Sequence, residues 1–405
     1  MSDVLTSVYP LCYFSLGIFI RWRSILQSKF DVIIVGAGPA GATLAGELAR
    51  KGVSVAVMEK ERLPRYKCCA GGLSVRATKL LNQDISDTVE NEITGATFTF
   101  AGNRPYYRHD SRTIGYTVMR DKFDYALTER AEKAGAVVLQ EHEVRRISMD
   151  DEGVQTFTAM DDFRSKYVVG ADGAMSVVAK ALDFKRKISY MAAIETEVTV
   201  AETVRQKWNS QVTIDLGRMP GYAWVFPKSD HLSIGIVCHR SRAKDLKRHY
   251  EGFLDSLHLG SHTVAKWHGA LIPMCKGKMT AVRGRALLLG DAAGLADPLT
   301  GEGIYNAILS AHLAAPVIER SLQHNPGRLL EYQVALEKEM LPDLMIANFI
   351  SSVFFRLPSI SFRALNRDER IWRTGCAVLR GETNYVAIKS KLNALGGIHT
   401  FLSTK

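Results

Sequence analysis

The chain has 405 residues, 46% of them hydrophobic, a mean hydropathy near zero and a formal net charge of +10. That suffices for two or three packed subdomains and excludes a disordered tail or a polytopic membrane protein. Six cysteines (Cys12, Cys68, Cys69, Cys238, Cys275 and Cys376) form no C-x-x-C pair, which argues against a zinc site or disulfide framework and for a reducing, cytoplasmic compartment.

The basic residues are spread along the chain, with neither the dense stripe nor the module that nucleic-acid binding requires, so no nucleic-acid partner is expected. Their excess suits an anionic lipid surface or a phosphorylated substrate. Residues 1–28 read as an extension. Its apolar run, residues 8–20, precedes Arg21, Trp22 and Arg23. It is too short to span a bilayer, and its charges follow the apolar run where a signal peptide has them before it. It reads as an interfacial anchor or a disordered leader.

The fold begins at Lys29. Residues 31–35 (DVIIV) are a continuous apolar run, the pattern of a buried parallel strand. Gly36-Ala37-Gly38-Pro39-Ala40-Gly41 follows, then a helical stretch closed by Gly52, then a second strand ending at Glu59. A lone G-x-G-x-x-G is weak evidence, but here strand, helix and terminal acid complete its context. Gly36 allows the tight turn, Gly38 the approach of a pyrophosphate and Gly41 close helix–strand packing. The helix N-terminus offers free N–H groups to the anion, and Glu59 can accept hydrogen bonds from an adenosine ribose.

Three later stretches favour FAD over NAD. Arg120 stands at the end of a strand, before a helix with Phe123, Leu127 and Ala131 on one face. Asp172-Gly173 follows an apolar strand. Gly290-Asp291 follows another and leads through a glycine-rich turn to a helix starting near Gly301, Gly303 and Ile304. That turn can aim helix N–H groups at a flavin ring and place Asp291 on the ribityl chain.

In this order the motifs resemble the flavoproteins of the para-hydroxybenzoate hydroxylase fold, and GDAAGLADPLTGEGI is highly specific. The resemblance covers residues 30–313. It implies FAD, with the adenosine end on Glu59, Lys60, Arg120 and the Val144 backbone, Asp172 and Asp291 further along, and the isoalloxazine end at residues 301–304. KCCAGGLS (residues 67–74) and PGYAWVFPK (residues 220–228) resemble segments of the geranylgeranyl reductase family, as do HGALIP and GETNYVAIKSKL. Cys68 stands where many members carry Pro, Ala70 where many carry Gly, and Lys180 where many relatives of the fold carry Arg.

On this resemblance residues 67–74 run along the cofactor, with Ala70 and Gly72 against it and Gly71 and Gly72 letting the backbone pass close. Cys69 is the candidate catalytic residue beside the flavin. Cys68 is read as incidental, since adjacent cysteines make a strained disulfide. Tyr222, Trp224 and Phe226 alternate along a strand, share one face and line a prenyl pocket, or pack in a core.

The expected fold class is α/β: a Rossmann-like FAD-binding domain, an inserted, mainly antiparallel substrate sheet and a C-terminal helical region. The FAD domain takes residues 29–95, 116–187 and 269–325, the substrate domain 96–115 and 188–268, and the helical region 326–405. Pro342 and Pro358 break its helices, whose apolar faces close a lipid tunnel, rest on a membrane or cap the core. The expected activity is FAD-dependent saturation of isolated double bonds in geranylgeranyl chains carried by a lipid, quinone or pigment. NADPH or a ferredoxin-type carrier donates the electrons, and the location is cytoplasmic or peripheral on a membrane. The alternatives are a flavin-dependent monooxygenase or halogenase, whose W-x-W-x-I-P strand YAWVFP partly echoes, and a non-catalytic FAD-holding membrane protein.

Overall fold

The structure, a computed structural model, describes residues 28–323 and 326–394. The apolar run at residues 8–20 and Cys12 lie outside the described residues.

Strand Lys29–Val35 is the centre of the first sheet. It pairs in parallel with Asp162–Gly170 on one side and Val55–Met58 on the other. Ala286–Leu288 and Val137–Leu139 extend the parallel core outward. Val32, Ile33 and Ile34 are fully buried, which is why this segment carries no alternation. Helix Pro39–Arg50 packs between Arg120–Lys133 and Ile304–Gln323.

The second sheet is mainly antiparallel and runs, by neighbours, His262–Val264, Arg186–Val200, Leu232–His239, Gly221–Pro227, Gln211–Leu216, Gly95–Phe100 and Asn103–His109. Strand His268–Met279 also pairs with Arg186–Val200, from His268 opposite Glu195 to Met279 opposite Arg186. The second crossing between sheets therefore falls after Met279 rather than at residue 268. Its cause is the length of Arg186–Val200, whose backbone needs a partner along its whole edge.

Helix Leu246–Ser256 covers one face of this sheet, where Tyr250 and Phe253 pack on Ala223, Val225, Ile234 and Ile236. The opposite face carries Ala193, Trp224 and Val237, packed against Ala70. A third, antiparallel sheet of Gly72–Ser74, Gly115–Val118 and Val89–Ile93 lies between the two large ones in the chain path.

The C-terminal region is helical: Leu330–Glu339, Leu341–Arg356, Pro358–Arg367, Glu369–Leu379 and Tyr385–Ala394. Pro342 and Pro358 each sit in the first turn of a helix, where the missing N–H costs nothing. Among the described residues no single helix is long and apolar enough to cross a membrane, and Leu341–Arg356 and Pro358–Arg367 bend by 104° at their junction.

Candidate functional site

The glycines of the first turn divide into two kinds. A Cβ on Gly41 would lie 2.0 Å from the Gly36 carbonyl oxygen, and one on Gly36 (φ +102°) 2.5 Å from that of Ala171. These two glycines are required by the protein's own packing. A Cβ on Gly38 would meet nothing within 4 Å. The space beside Gly38 is open, at the mouth of a helix whose first N–H groups have no side-chain cap. Ala40 is buried in the first turn of that helix. The Glu59 carboxylate, 4% exposed, accepts from the Ala37 N–H at 3.0 Å and the Glu61 N–H at 3.2 Å, which fixes it at the strand tip. Lys60 is exposed and pairs at 3.7 Å with Glu61.

Arg120 opens its helix and holds both oxygens of Asp124, at 2.7 and 2.8 Å. Arg65 joins Asp124 at 3.0 Å to Glu59 at 3.5 Å. Burial alone would lower the Arg120 pKa, but Asp124 and the Cys69 thiol outweigh it and hold the guanidinium charged. Val144 is buried in the core of the first sheet. Asp172 accepts from the Val177 and Val178 N–H groups at 2.7 and 3.2 Å, while its Oδ1 is buried without a partner. Burial pushes the Asp172 and Asp291 carboxyls up, and Lys67 and Arg120 lie near enough to Asp291 to oppose that shift. The Asp291 Oδ1 is 3.6 Å from where a Cβ of Gly303 would lie.

The far end of the crevice is built from the cysteine loop and the 297–304 turn. Gly301 is left-handed (φ +72°), and a Cβ there would press on the Tyr222 hydroxyl at 2.6 Å. Tyr222 donates to the Thr300 carbonyl at 3.1 Å. Glu302 pairs with buried Arg76 at 2.5 Å and accepts from the Ser74 hydroxyl, tying this turn to Gly72–Ser74. Helix Ile304–Gln323 starts directly after it.

The glycines of the cysteine loop serve the protein's own packing. A Cβ on Gly71 would lie 2.0 Å from the Val118 carbonyl oxygen, and one on Gly72 2.7 Å from the Phe226 ring. The Cys69 sulfur accepts from the Gly71 N–H at 3.4 Å, and the Cys69 N–H donates to Glu195 at 2.6 Å. Cys68 lies beside the Glu195 carboxylate. Burial, then the Glu195 carboxylate beside it, raises its thiol pKa. Lys228, 1% exposed, donates to the Ala70 and Val118 carbonyls at 2.8 Å each, and burial lowers its pKa.

Tyr222, Trp224 and Phe226 share the face that looks toward Ala70. Trp224 fills the space over Gly235, where a Cβ would lie 2.1 Å from its ring. Phe355 of helix Leu341–Arg356 stacks on Tyr222 at 5.9 Å between centroids. A cavity of about 370 Å³ lies on the other side of the 297–304 turn, lined by Arg76, Asp297, Asp343 and Asn384, with no residue of the cysteine loop in its wall.

A flavin dinucleotide fits these residues. The open space at Gly38, the uncapped helix mouth and the unpartnered Asp172 oxygen lie on its expected path. The turn at residues 301–304 lies against Tyr222, which in turn lies near Cys69. The FAD binding domain family matches residues 29–256, more than half of the chain. A Methanosphaerula palustris protein named digeranylgeranylglycerophospholipid reductase is 30% identical over 325 residues, 72% of this chain and 77% of the relative.

The chain belongs to the geranylgeranyl reductase family. It is an FAD-dependent oxidoreductase. An uncharacterized protein of Methanosarcina barkeri is 30% identical over 339 residues, 84% of this chain and 87% of the relative. The crystal structure of a geranylgeranyl bacteriochlorophyll reductase-like protein from Thermoplasma acidophilum superposes with a TM-score of 0.78 at 24% identity, over 91% of this chain and 99% of that one. A flavin-dependent brominase superposes at 0.72 with 20% identity, over 87% and 94%. Both structures show the shared fold.

For a geranylgeranyl reductase family member, sequence reasoning missed Arg65, Tyr66, Asp124, Glu195 and Lys228 at this site. Lys228 stands at the end of the PGYAWVFPK segment and Glu195 alternates with Glu197 on one strand face, so both signals were present. Nothing local marked them as buried.

Proposed function

We propose that this protein saturates isolated double bonds of geranylgeranyl chains, with Cys69 beside the reacting alkene. The observation that carries this reading is the meeting of Cys69 with Arg120, and of the cysteine loop with the Tyr222–Trp224–Phe226 face. An isolated alkene has no carbonyl to polarise it, so its reduction needs a dry wall, an oriented chain and a proton donor. Reduced FAD supplies the hydride when bound. The aromatic face and Phe355 hold the chain and exclude water. The Cys69 thiol is the proposed proton donor, and Arg120 lies beside it to steady the thiolate left behind. The electron donor is NADPH or a ferredoxin-type carrier, and the +10 charge suits an acidic carrier. The brominase likeness concerns fold alone, and Tyr222 stands where the halogenase strand has its first Trp.

We also propose that the enzyme draws its substrate from a membrane surface. Met345, Phe349, Val353, Leu357 and Ile360 are 45–60% exposed and form one stripe across the bent helix pair. Exposed Arg356, Arg363 and Arg367 stand at its basic end. Such a stripe suits the headgroup–acyl boundary of an anionic bilayer. Phe355, on the inner side of the same helix, reaches Tyr222, which joins the lipid-facing stripe to the aromatic wall.

The test is anaerobic flavin oxidation. Chemically reduced holoprotein is mixed with a geranylgeranyl lipid and with its saturated counterpart. Return of the oxidised flavin spectrum with the first lipid alone supports the reading; no return with either refutes it. Cys69→Ser is expected to retain FAD and lose at least about a hundredfold in that rate.

A further inference from the structure

Among the described residues, four buried side-chain atoms on the inner face of the second sheet have no hydrogen-bond partner: Glu195 Oε2, Glu197 Oε2, Trp224 Nε1 and Ser233 Oγ. They are neighbours by register. Trp224 pairs with Gly235, Gly235 with Glu195 and Glu195 with His268, forming one rung across four strands. Phe226, Ser233 and Glu197 form the next rung on the same face. Buried polar atoms left unpaired cost about 1–3 kcal/mol each, so a cluster of them marks a place with work other than folding.

Glu195 is the centre of this cluster. It is 1% exposed, and its Oε1 accepts from the Cys69 N–H at 2.6 Å and from the Tyr66 hydroxyl at 3.0 Å. Tyr66 also reaches Glu197 at 3.3 Å, and Glu197 faces His231 Nε2 at 3.1 Å. His231 contacts exposed Asp230 through Nδ1. Tyr66 is itself 36% exposed and stacks on His268 at 4.1 Å. Hydrogen bonds from the Tyr66 hydroxyl to Glu195 and Glu197, then the Glu197–His231 ion-pair contact, whose facing Oε2 and Nε2 make no hydrogen bond, thus lead from the cysteine loop to the surface.

We propose that Glu195 is the proton reservoir of the reaction, refilled from solvent through Tyr66, Glu197 and His231 and discharged into the Cys68–Cys69 thiols. It rests on the reductase reading given above. The step balances as follows. One alkene carbon takes a hydride, with both electrons, from reduced flavin, which a nicotinamide or iron–sulfur donor has reduced. The other carbon takes a proton from a thiol of the pair. The thiolate takes the Glu195 proton, and the Glu195 carboxylate takes one from solvent along the chain. The C=C π bond, the hydride-bearing bond of the reduced flavin and one S–H bond break, and two C–H bonds form; the S–H bond then re-forms as the Glu195 O–H bond breaks.

The surroundings favour this role. Burial, then the charge of Glu197, raises the Glu195 pKa. Tyr66, Lys67 and both cysteines face it from the loop, His268 and Lys228 from neighbouring strands, and Tyr250 from beneath the sheet. Of the cations, buried Lys228 spends its ammonium protons on two carbonyls and has its own pKa lowered. His231 is pulled down by burial, but the neighbouring Glu197 and Asp230 carboxylates outweigh that and raise its pKa.

The test uses the FAD-loaded protein and Glu195→Gln, whose amide oxygen still accepts from Cys69. Infrared difference spectra are recorded across a pH titration. A protonated carboxyl band that persists in wild type above the ordinary value of 4.5 and is absent in Glu195→Gln is the expected result; the same spectrum in both overturns the proposal, whatever the activity. Turnover with chemically reduced flavin is expected to fall by about 10²–10⁴ in Glu195→Gln, with partial rescue and a shifted pH profile in Glu195→Asp. Wild-type turnover in Glu195→Gln also overturns it. If the wild type gives no saturated lipid, the reductase reading fails while the infrared result still decides the state of Glu195. Should Glu195→Gln not fold, Tyr66→Phe removes only the link between Glu195 and Glu197, and an unchanged pH profile there counts against the relay.

Discussion

Arg76→Leu tests whether the 297–304 turn is held by charge. The Arg76, Glu302 and Asp297 side chains are 7%, 7% and 2% exposed, and Arg76 reaches Glu302 at 2.5 Å and Asp297 at 3.8 Å. Removing the Arg76 guanidinium strands the Glu302 and Asp297 carboxylates in a buried site. Breaking such a pair costs about 3–5 kcal/mol. The Ser74 hydroxyl still donates to Glu302, and leucine recovers part of the packing over Tyr305, where the guanidinium sits 4.1 Å from the ring centroid. The lower end, about 3 kcal/mol, is therefore expected. Urea unfolding of the holoprotein at pH 7 reads this loss, and bound flavin per chain reads the displaced turn. The deficit should shrink below about pH 5, because a stranded carboxylate can then take a proton. Arg76→Leu with Glu302→Leu should be more stable than Arg76→Leu alone. A loss under about 1 kcal/mol, or a double variant no better than the single one, refutes the reasoning.

Gly38→Ala and Gly41→Ala should separate cofactor space from packing space. Gly38→Ala is expected to fold with stability changed by less than about 1 kcal/mol and to bind FAD at least about tenfold more weakly. Gly41→Ala is expected to fail in both, and thermal unfolding with flavin titration checks the pair. Stability should fall as pH rises above the ordinary Glu195 value of 4.5, because the native state holds that proton more tightly. The raised His231 pKa adds loss of the same sign above 6.5. Unfolding followed from about pH 4 to about pH 8 should show a shallower decline in Glu195→Gln. Phe349→Glu with Ile360→Glu should leave detergent-solubilised turnover unchanged and lower sedimentation with anionic vesicles by about tenfold or more.

What the sequence made legible was local. The strand–turn–helix–strand of residues 30–59 announces itself because every part lies within one supersecondary unit. The aromatic face of Tyr222, Trp224 and Phe226 follows from alternation alone. Gly71 and Gly72 showed that something passes close, but not what: the neighbours are Val118 and Phe226, which no local pattern reveals. Glu195 meets Cys69 across 126 positions, and Lys228 meets Ala70 across 158. Their burial is a property of the sheets meeting, since a charged residue on a strand ordinarily reads as its solvent face. The boundary after Met279 was hidden for a similar reason, because a strand's partner is set by the edge left open elsewhere.

The most direct measurement is the mass of the product. Holoprotein reduced chemically without air is given a geranylgeranyl lipid, and the recovered lipid is weighed by mass spectrometry. The account predicts a gain of one hydrogen pair for each double bond saturated. An unchanged lipid, with oxygen or halide incorporated into a substrate once air and a donor are supplied, would contradict it.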